Sequence, residues 1–337
     1  MTIIDVRDLT RTYTSGKHKV EAVRGISFTV DKGQVVGFLG PNGAGKTTTL
    51  RMLTTLLKPT SGTAIVAGAD LHADPLGVRR KIGYVAQSLG PVGSGLIVDS
   101  LVREELILQA RLYRVPRQEA AARAEALIGQ LELTGLEDRV VKTLSGGQRR
   151  RLDIALGLIH DPLVVFMDEP SAGLDPQSRY NLWEHIRRLR AERGTTVFLT
   201  THNLDEADAL CDRILVIDHG RIAAGGTPDE LKDWVAGDVI TIAVHDDVEA
   251  ASLVLSDGPS VRKITAEENR LRLTVEQGKQ ALPTLLRLLD SAGIEIESIN
   301  LSRPSLDDAF LTLTGRSLRD DTAPAPAAAP VPAQADT

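Results

Sequence analysis

Cysteine is nearly absent from this 337-residue chain, where Cys211 stands alone. A single thiol excludes an internal disulfide and any cysteine-based zinc site, and it fits a cytosolic compartment. Cys211 itself reads as a small core residue rather than a nucleophile. Long apolar runs are missing too. The longest, residues 35–39 and 163–167, fall far short of the roughly 20 residues that span a bilayer. If the protein works at a membrane, another chain must do the crossing. The N-terminus carries Asp5 and Asp8 where a secretory leader would have its apolar core, so no leader is expected in the residues given. Basic excess is also lacking. With 39 Lys and Arg against 45 Asp and Glu, the formal net charge of -6 argues against a sequence-independent nucleic-acid binder. What remains, 42% hydrophobic and 25% charged residues, describes an ordinary globular protein of two domains.

Residues 2–39 alternate apolar and polar in short segments, around 3–6, 20–23 and 26–30, and predict antiparallel strands with turns at Ser15-Gly16 and Asp31-Lys32-Gly33. Residues 48–57 predict a helix, and 63–67 and 81–85 two further strands. Helical spacing over 101–113 and 118–131 predicts a helical insertion spanning about 88–160. The uninterrupted apolar run 163–167, with 197–200 and 214–217, predicts buried strands of a parallel sheet, with a helix over 179–193 between the first two. This α/β domain is expected to cover 2–230.

A second, α+β domain is expected over 231–316. Its segments 238–245, 248–255, 261–265, 270–275, 280–292 and 294–301 read as β-α-β-β-α-β, the ferredoxin-like order. Ser305, with Asp308 three residues on, caps a last helix. Residues 317–337 form a Pro/Ala-rich tail expected to be disordered.

One stretch carries the chemistry. Gly40, Pro41, Asn42, Gly43, Ala44, Gly45, Lys46 and Thr47 follow a strand and open a helix, the setting in which this spacing marks a phosphate-binding loop. Glycines let successive backbone N–H groups face a polyphosphate, and the helix N-terminus adds its dipole. Lys46 brings a mobile positive charge to the β- and γ-phosphates. Thr47, beside Thr48, offers a hydroxyl ligand for Mg²⁺. A second anion site is predicted at Ser145, Gly146, Gly147 and Gln148, which precede another helix. Two phosphate sites in one domain make sense if they meet one nucleotide from opposite sides. Asp168 and Glu169 end a buried strand, where the first can organise Mg²⁺ and the second orient or deprotonate a water. His202 ends the next strand at the same edge, placed for a γ-phosphate contact.

This ordered set resembles the ATP-binding cassette of ABC transporters over about residues 2–230. The resemblance implies that Tyr13 stacks on adenine, that Gln87 is the Q-loop glutamine and a Mg²⁺ ligand, and that Ser145–Gln148 is the signature. It further implies that Asp175 lies in the D-loop and that His202 is the switch histidine. The expected fold is a phosphate-loop cassette with an antiparallel β subdomain, a RecA-like parallel core and a helical insertion, followed by the small ferredoxin-like domain. The implied catalytic set is Glu169, His202, Gln87 and Lys46. The implied assembly is a head-to-tail pair of cassettes with ATP between them, seated on an integral membrane permease at the cytoplasmic face.

The run from Thr201 to Ile214 resembles the single-cassette subunits of drug and antibiotic exporters, and the C-terminal Pro304-Ser305-Leu306-Asp307-Asp308-Ala309-Phe310-Leu311, with Thr314-Gly315-Arg316, is similar to the end of the daunorubicin/doxorubicin-resistance ATPases. The chain departs from that group at residues 90–95, Gly-Pro-Val-Gly-Ser-Gly, where an acidic segment is usual. Export of a drug or antibiotic-like compound is thus expected. Export of lipid, polysaccharide or ions, and a soluble ATPase outside transport, stand as alternatives.

Overall fold

The computed structural model describes residues 1–315 other than 17, 88–98, 235–236, 246–247, 257, 259–260, 268, 277 and 303. The departure at 90–95 and the tail at 317–337 therefore lie outside the described residues. The described chain divides into two units, Met1–Gly225 and Gly226–Gly315.

In the first unit, β1 (Thr2–Ser15) and β2 (His18–Asp31) pair as one long antiparallel hairpin. The short segments expected here merge because register shifts, such as the one between Leu9 and Thr10, absorb the breaks in alternation. Next come β3 (Val35–Leu39), α1 (Lys46–Leu53), β4 (Ser61–Val66), β5 (Ala69–Asp70), α2 (Pro75–Lys81) and β6 (Ile82–Val85). The helical insertion supplies α3 (Val102–Leu112), α4 (Arg117–Gln130) and α5 (Gly146–Leu158). The chain returns through β7 (Val164–Asp168), α6 (Pro176–Arg193), β8 (Thr196–Thr201), α7 (Leu204–Leu210), β9 (Arg213–Asp218) and β10 (Arg221–Gly226).

Two sheets result. One has the order β2-β1-β4-β5 and the other β10-β9-β3-β8-β7-β6. Within the second, β9, β3, β8, β7 and β6 run parallel. Every residue of β3, β7 and β8 is buried, which is why their apolar residues run consecutively rather than alternating, with polar residues only at the ends of β7 and β8. Four phenylalanines join the sheets: Phe28 of β2 stacks on Phe198 of β8 at 5.8 Å, and Phe38 and Phe166 lie 5.6 and 5.7 Å from the same ring. Such pairs add about 0.5–1.5 kcal/mol each beyond the area they bury. The parallel register pairs Leu39 with Thr201 and Asp168 with Thr200, so β3, β7 and β8 end at one edge. A ligand site is expected outside that carboxyl edge.

The second unit begins with α8 (Pro228–Asp233), followed by β11 (Asp238–Val244), α9 (Val248–Ser256), β12 (Val261–Glu267), β13 (Arg270–Val275), α10 (Gly278–Ser291), β14 (Ile296–Ser302) and α11 (Leu306–Thr314). The strand order β12-β13-β11-β14, all antiparallel, is the split βαβ arrangement. Ile240, Ile242, Leu271 and Leu273 face Leu255, Leu285 and Leu289 of the helices in one core. Ser305 and Asp308 form the expected capping box, and Arg272 of β13 reaches Asp308 at 2.7 Å. The unit starts at Gly226, ahead of the expected 231, because Pro228 opens a helix. It sits in the first turn of α8, where a missing N–H costs nothing, and α8 packs on α11.

Candidate functional site

The turn between β3 and α1 is shaped by what a side chain would meet. Gly45 has φ +109, and a Cβ there would lie 2.6 Å from the Ala22 carbonyl oxygen, so only glycine fits. Lys46 follows as the first residue of α1, and its side chain is buried. Its Nζ donates to the carbonyls of Gly40 at 2.7 Å and Pro41 at 3.0 Å and lies 3.5 Å from Glu169 Oε1.

Asp168 ends β7 with its carboxylate between two hydroxyls. Oδ1 accepts from Thr47 Oγ1 at 3.1 Å and from Thr200 Oγ1 at 2.6 Å. Thr200 Oγ1 in turn accepts from the Glu169 backbone N–H at 3.0 Å. A single buried hydroxyl therefore ties the two acidic residues together across neighbouring strands.

Glu169 adopts φ +43, a left-handed conformation that costs a residue with a side chain about 1–2 kcal/mol. Its carboxylate is nearly inaccessible and collects three partners: Lys46, His202 Nδ1 at 3.1 Å from Oε1, and Gln87 Nε2, which donates to Oε2 at 2.6 Å. Burial alone would raise its pKa. The His202 hydrogen bond and the Lys46 charge outweigh burial and hold the carboxyl below its ordinary value, so it is ionised near neutral pH. The structure thus brings together Lys46, Thr47, Gln87, Asp168, Glu169 and His202. Gln87, expected beside the metal ligands, here bonds Glu169.

The signature residues assemble elsewhere on the unit. Ser145 caps α5: its Oγ accepts from Gln148 N at 3.3 Å, and Gln148 Oε1 accepts from Ser145 N at 3.0 Å. Asp175 likewise caps α6 through Ser178 N at 3.0 Å and Ser178 Oγ at 2.6 Å, bonds that lower its pKa. These two caps meet, because a Cβ on Gly147 would come 3.0 Å from Ser178 Oγ. Ser145, Gly147, Gln148, Leu174, Ser178 and Asn181 line a cavity of about 120 Å³ with none of the phosphate-loop residues in its wall. Tyr13 is 40% exposed on β1, with the Arg11 guanidinium 4.8 Å from its ring centroid. Cys211 is buried against Gly37, where burial pushes its thiol pKa well up, so it is inert packing.

Two residues of this region carry no local signal in the sequence. Thr200 is recognisable only once β8 is known to lie beside β7. Arg150, two residues beyond the signature stretch and buried, donates from Nε to the Pro170 carbonyl at 2.7 Å and from Nη1 to the Ala86 carbonyl. Its Nη2 donates to the Asp168 carbonyl at 3.3 Å and the Glu169 carbonyl at 3.5 Å.

A buried loop lysine, a hydroxyl on a strand-end aspartate and a neighbouring ionised glutamate at one parallel sheet edge are the working parts of a phosphate-loop ATPase. The family described as ABC transporter matches residues 23–172. The C-terminal domain of DrrA1-3-like ATP-binding proteins matches residues 226–314, nearly the whole second unit. The daunorubicin resistance ATP-binding protein DrrA2 of Streptomyces coeruleorubidus is 44% identical over 301 residues, covering 87% of this chain and 90% of its own. The daunorubicin/doxorubicin resistance ATP-binding protein DrrA of Streptomyces peucetius is 42% identical, covering 91% and 93%. A dimeric ATP-binding cassette, MJ0796, solved after hydrolysis with ADP and Pi, has TM-score 0.60 and 26% identity, covering 66% of this chain and 98% of that one. The chain belongs to the ABC transporter ATP-binding family, in the group that carries the DrrA-like C-terminal domain, and is an ATPase.

Proposed function

We propose that this chain hydrolyses ATP to drive efflux of a drug- or antibiotic-like compound through a separate membrane permease. The observation that carries the hydrolytic part is the ionised Glu169 held by Lys46, Gln87 and His202. The cargo class rests on the relatives named for daunorubicin and doxorubicin resistance.

In this reading the phosphates of ATP take Lys46 from the loop carbonyls, and the amides of Gly40, Pro41, Asn42, Gly43, Ala44, Gly45 and Thr48 line the polyphosphate, apart from the proline, which has no N–H. Tyr13 stacks on the adenine with its open face. Glu169 orients a water and accepts its proton as the water oxygen bonds to the γ-phosphorus and the bridging oxygen leaves with ADP. His202 steadies the γ-phosphate. The hydroxyl of Thr47 beside the Asp168 carboxylate is a hard-oxygen donor set of the kind Mg²⁺ takes, so Thr47 and Asp168 would hold the ion, joined by the Gln87 amide oxygen. When bound, Mg²⁺ supplies charge neutralisation at the β- and γ-phosphates.

Ser145, Gly146, Gly147, Gln148 and Asp175 would complete the ATP site of a second cassette facing head to tail, which accounts for a capped helix N-terminus set apart from the loop. Among the described residues no helix is long and apolar enough to cross a membrane. In this reading the permease is a separate chain, and this subunit binds its cytoplasmic side.

Glu169→Gln tests the hydrolytic reading. It should bind ATP, lose nearly all turnover and accumulate a closed dimer on gel filtration; turnover at the wild-type rate would remove Glu169 from the role of base. Cargo is tested in vesicles holding the chain with its co-purified permease. ATP-dependent doxorubicin accumulation supports drug efflux, and its absence alongside ATP-driven lipid movement would favour the lipid alternative.

A further inference from the structure

Glu169 is held in a backbone conformation its residue type disfavours, and its side-chain partners do not explain why. The Glu169 peptide needs restraint from the backbone side, where a buried guanidinium lies. Arg150 spreads its donors over the carbonyls of residues 168, 169 and 170 on one side and of Ala86, the residue before Gln87, on the other. A guanidinium is the one side chain whose donors fan out in a plane wide enough to bridge two chain segments at once. Its own backbone belongs to α5, the helix that Ser145 caps.

We propose that Arg150 is a positioning residue for ATP hydrolysis: it fixes the backbone that carries Glu169 and the backbone that carries Gln87 to the signature helix, so that the Gln87–Glu169 contact forms. In this role Arg150 acts through these two residues, its donors being spent on main-chain carbonyls. This inference rests on Glu169 activating the water. β6 and β7 are paired in the sheet up to Val85 and Met167, and beyond that pairing one guanidinium ties the stretch after β6 and the end of β7 to α5. Loss of the fork should let Glu169 relax toward an ordinary conformation, while Lys46 keeps its bonds to the Gly40 and Pro41 carbonyls, which Arg150 does not contact. A lysine at 150 keeps the charge but presents one point donor, and so can hold one segment and not both.

The test uses the full chain with Arg150→Lys and Arg150→Met, measuring kcat, KM and the affinity for a fluorescent ATP analogue. Arg150→Met is expected to lower kcat at least tenfold with KM and analogue affinity within twofold of wild type. Arg150→Lys should recover part of that loss. A kcat within twofold of wild type in Arg150→Met overturns the proposal. So does a loss of nucleotide affinity in step with kcat, or absence of a cooperative melt in both variants, either of which would make Arg150 a plain stability element. Glu169→Gln, run in parallel, reports on the base assignment alone: if it retains turnover while the Arg150 variants lose it, the fault lies with the role given to Glu169.

Discussion

Gln87 Nε2 donates to Glu169 Oε2 at 2.6 Å, joining residues 82 positions apart in the chain. The amide is the right group there, since it offers a donor to a carboxylate without adding charge. Gln87→Glu would set two carboxylates against each other, and such a pair retains a proton to higher pH. Its ATPase activity should therefore be low at neutral pH and climb as the pH rises. Gln87→Ala, lacking the second acid, should show a uniform loss without that climb. Steady-state rates across pH 6–9 would separate them, and identical profiles would mean the contact does not influence the base.

The His202 hydrogen bond is one of the forces holding the Glu169 carboxyl below its ordinary pKa. In the wild type, loss of the base should occur only as pH falls below the ordinary carboxylate range. Removing the imidazole with His202→Ala leaves burial less opposed, so the pKa rises and the acid limb moves toward neutrality. The same sign applies to stability: this group's contribution is present above the unfolded-state pKa and is lost as pH falls through the lowered folded-state value. An acid limb that stays in place in His202→Ala would show that Lys46 alone sets it.

Gly43 and Gly45 separate backbone strain from collision. Gly43 has φ +79 with nothing near its missing Cβ, whereas Gly45 combines φ +109 with a carbonyl 2.6 Å away. Gly43→Ala should cost about 1–2 kcal/mol of strain. Gly45→Ala must also displace β2 at Ala22, so a loss of more than about 3 kcal/mol is expected, with ATP affinity falling alongside. Urea midpoints of the two variants give the comparison, and equal losses would contradict it.

Thr200→Val keeps the shape and deletes the hydroxyl that serves Asp168 and the Glu169 N–H. A buried acceptor left short of its donor costs about 1–3 kcal/mol. The variant should melt earlier and lose ATPase activity, whereas Thr200→Ser should retain most of both. Wild-type stability in Thr200→Val would mean that Thr47 suffices to satisfy Asp168.

Much of this was legible in the residues because the signals are local. Gly40 to Thr47 announce a phosphate loop since a strand, a glycine turn and a helix N-terminus are contiguous, and Ser145 with Gln148, like Ser305 with Asp308, spells out a helix cap within four residues. The order of elements in the second unit followed from periods of two and 3.6. The start of α8 is not legible locally, because Pro228 punctuates a loop as readily as it opens a helix.

By itself the sequence determined that this chain folds as a nucleotide-binding cassette with an α+β extension, because loop chemistry and hydrophobic period are short-range properties. Only the tertiary structure decided how Glu169 is held. Its left-handed backbone, its contact with Gln87, and the bonds from Thr200 and Arg150 join segments that are far apart in the chain. A hydrogen bond to a main-chain carbonyl leaves no mark on the identity of the residue that accepts it.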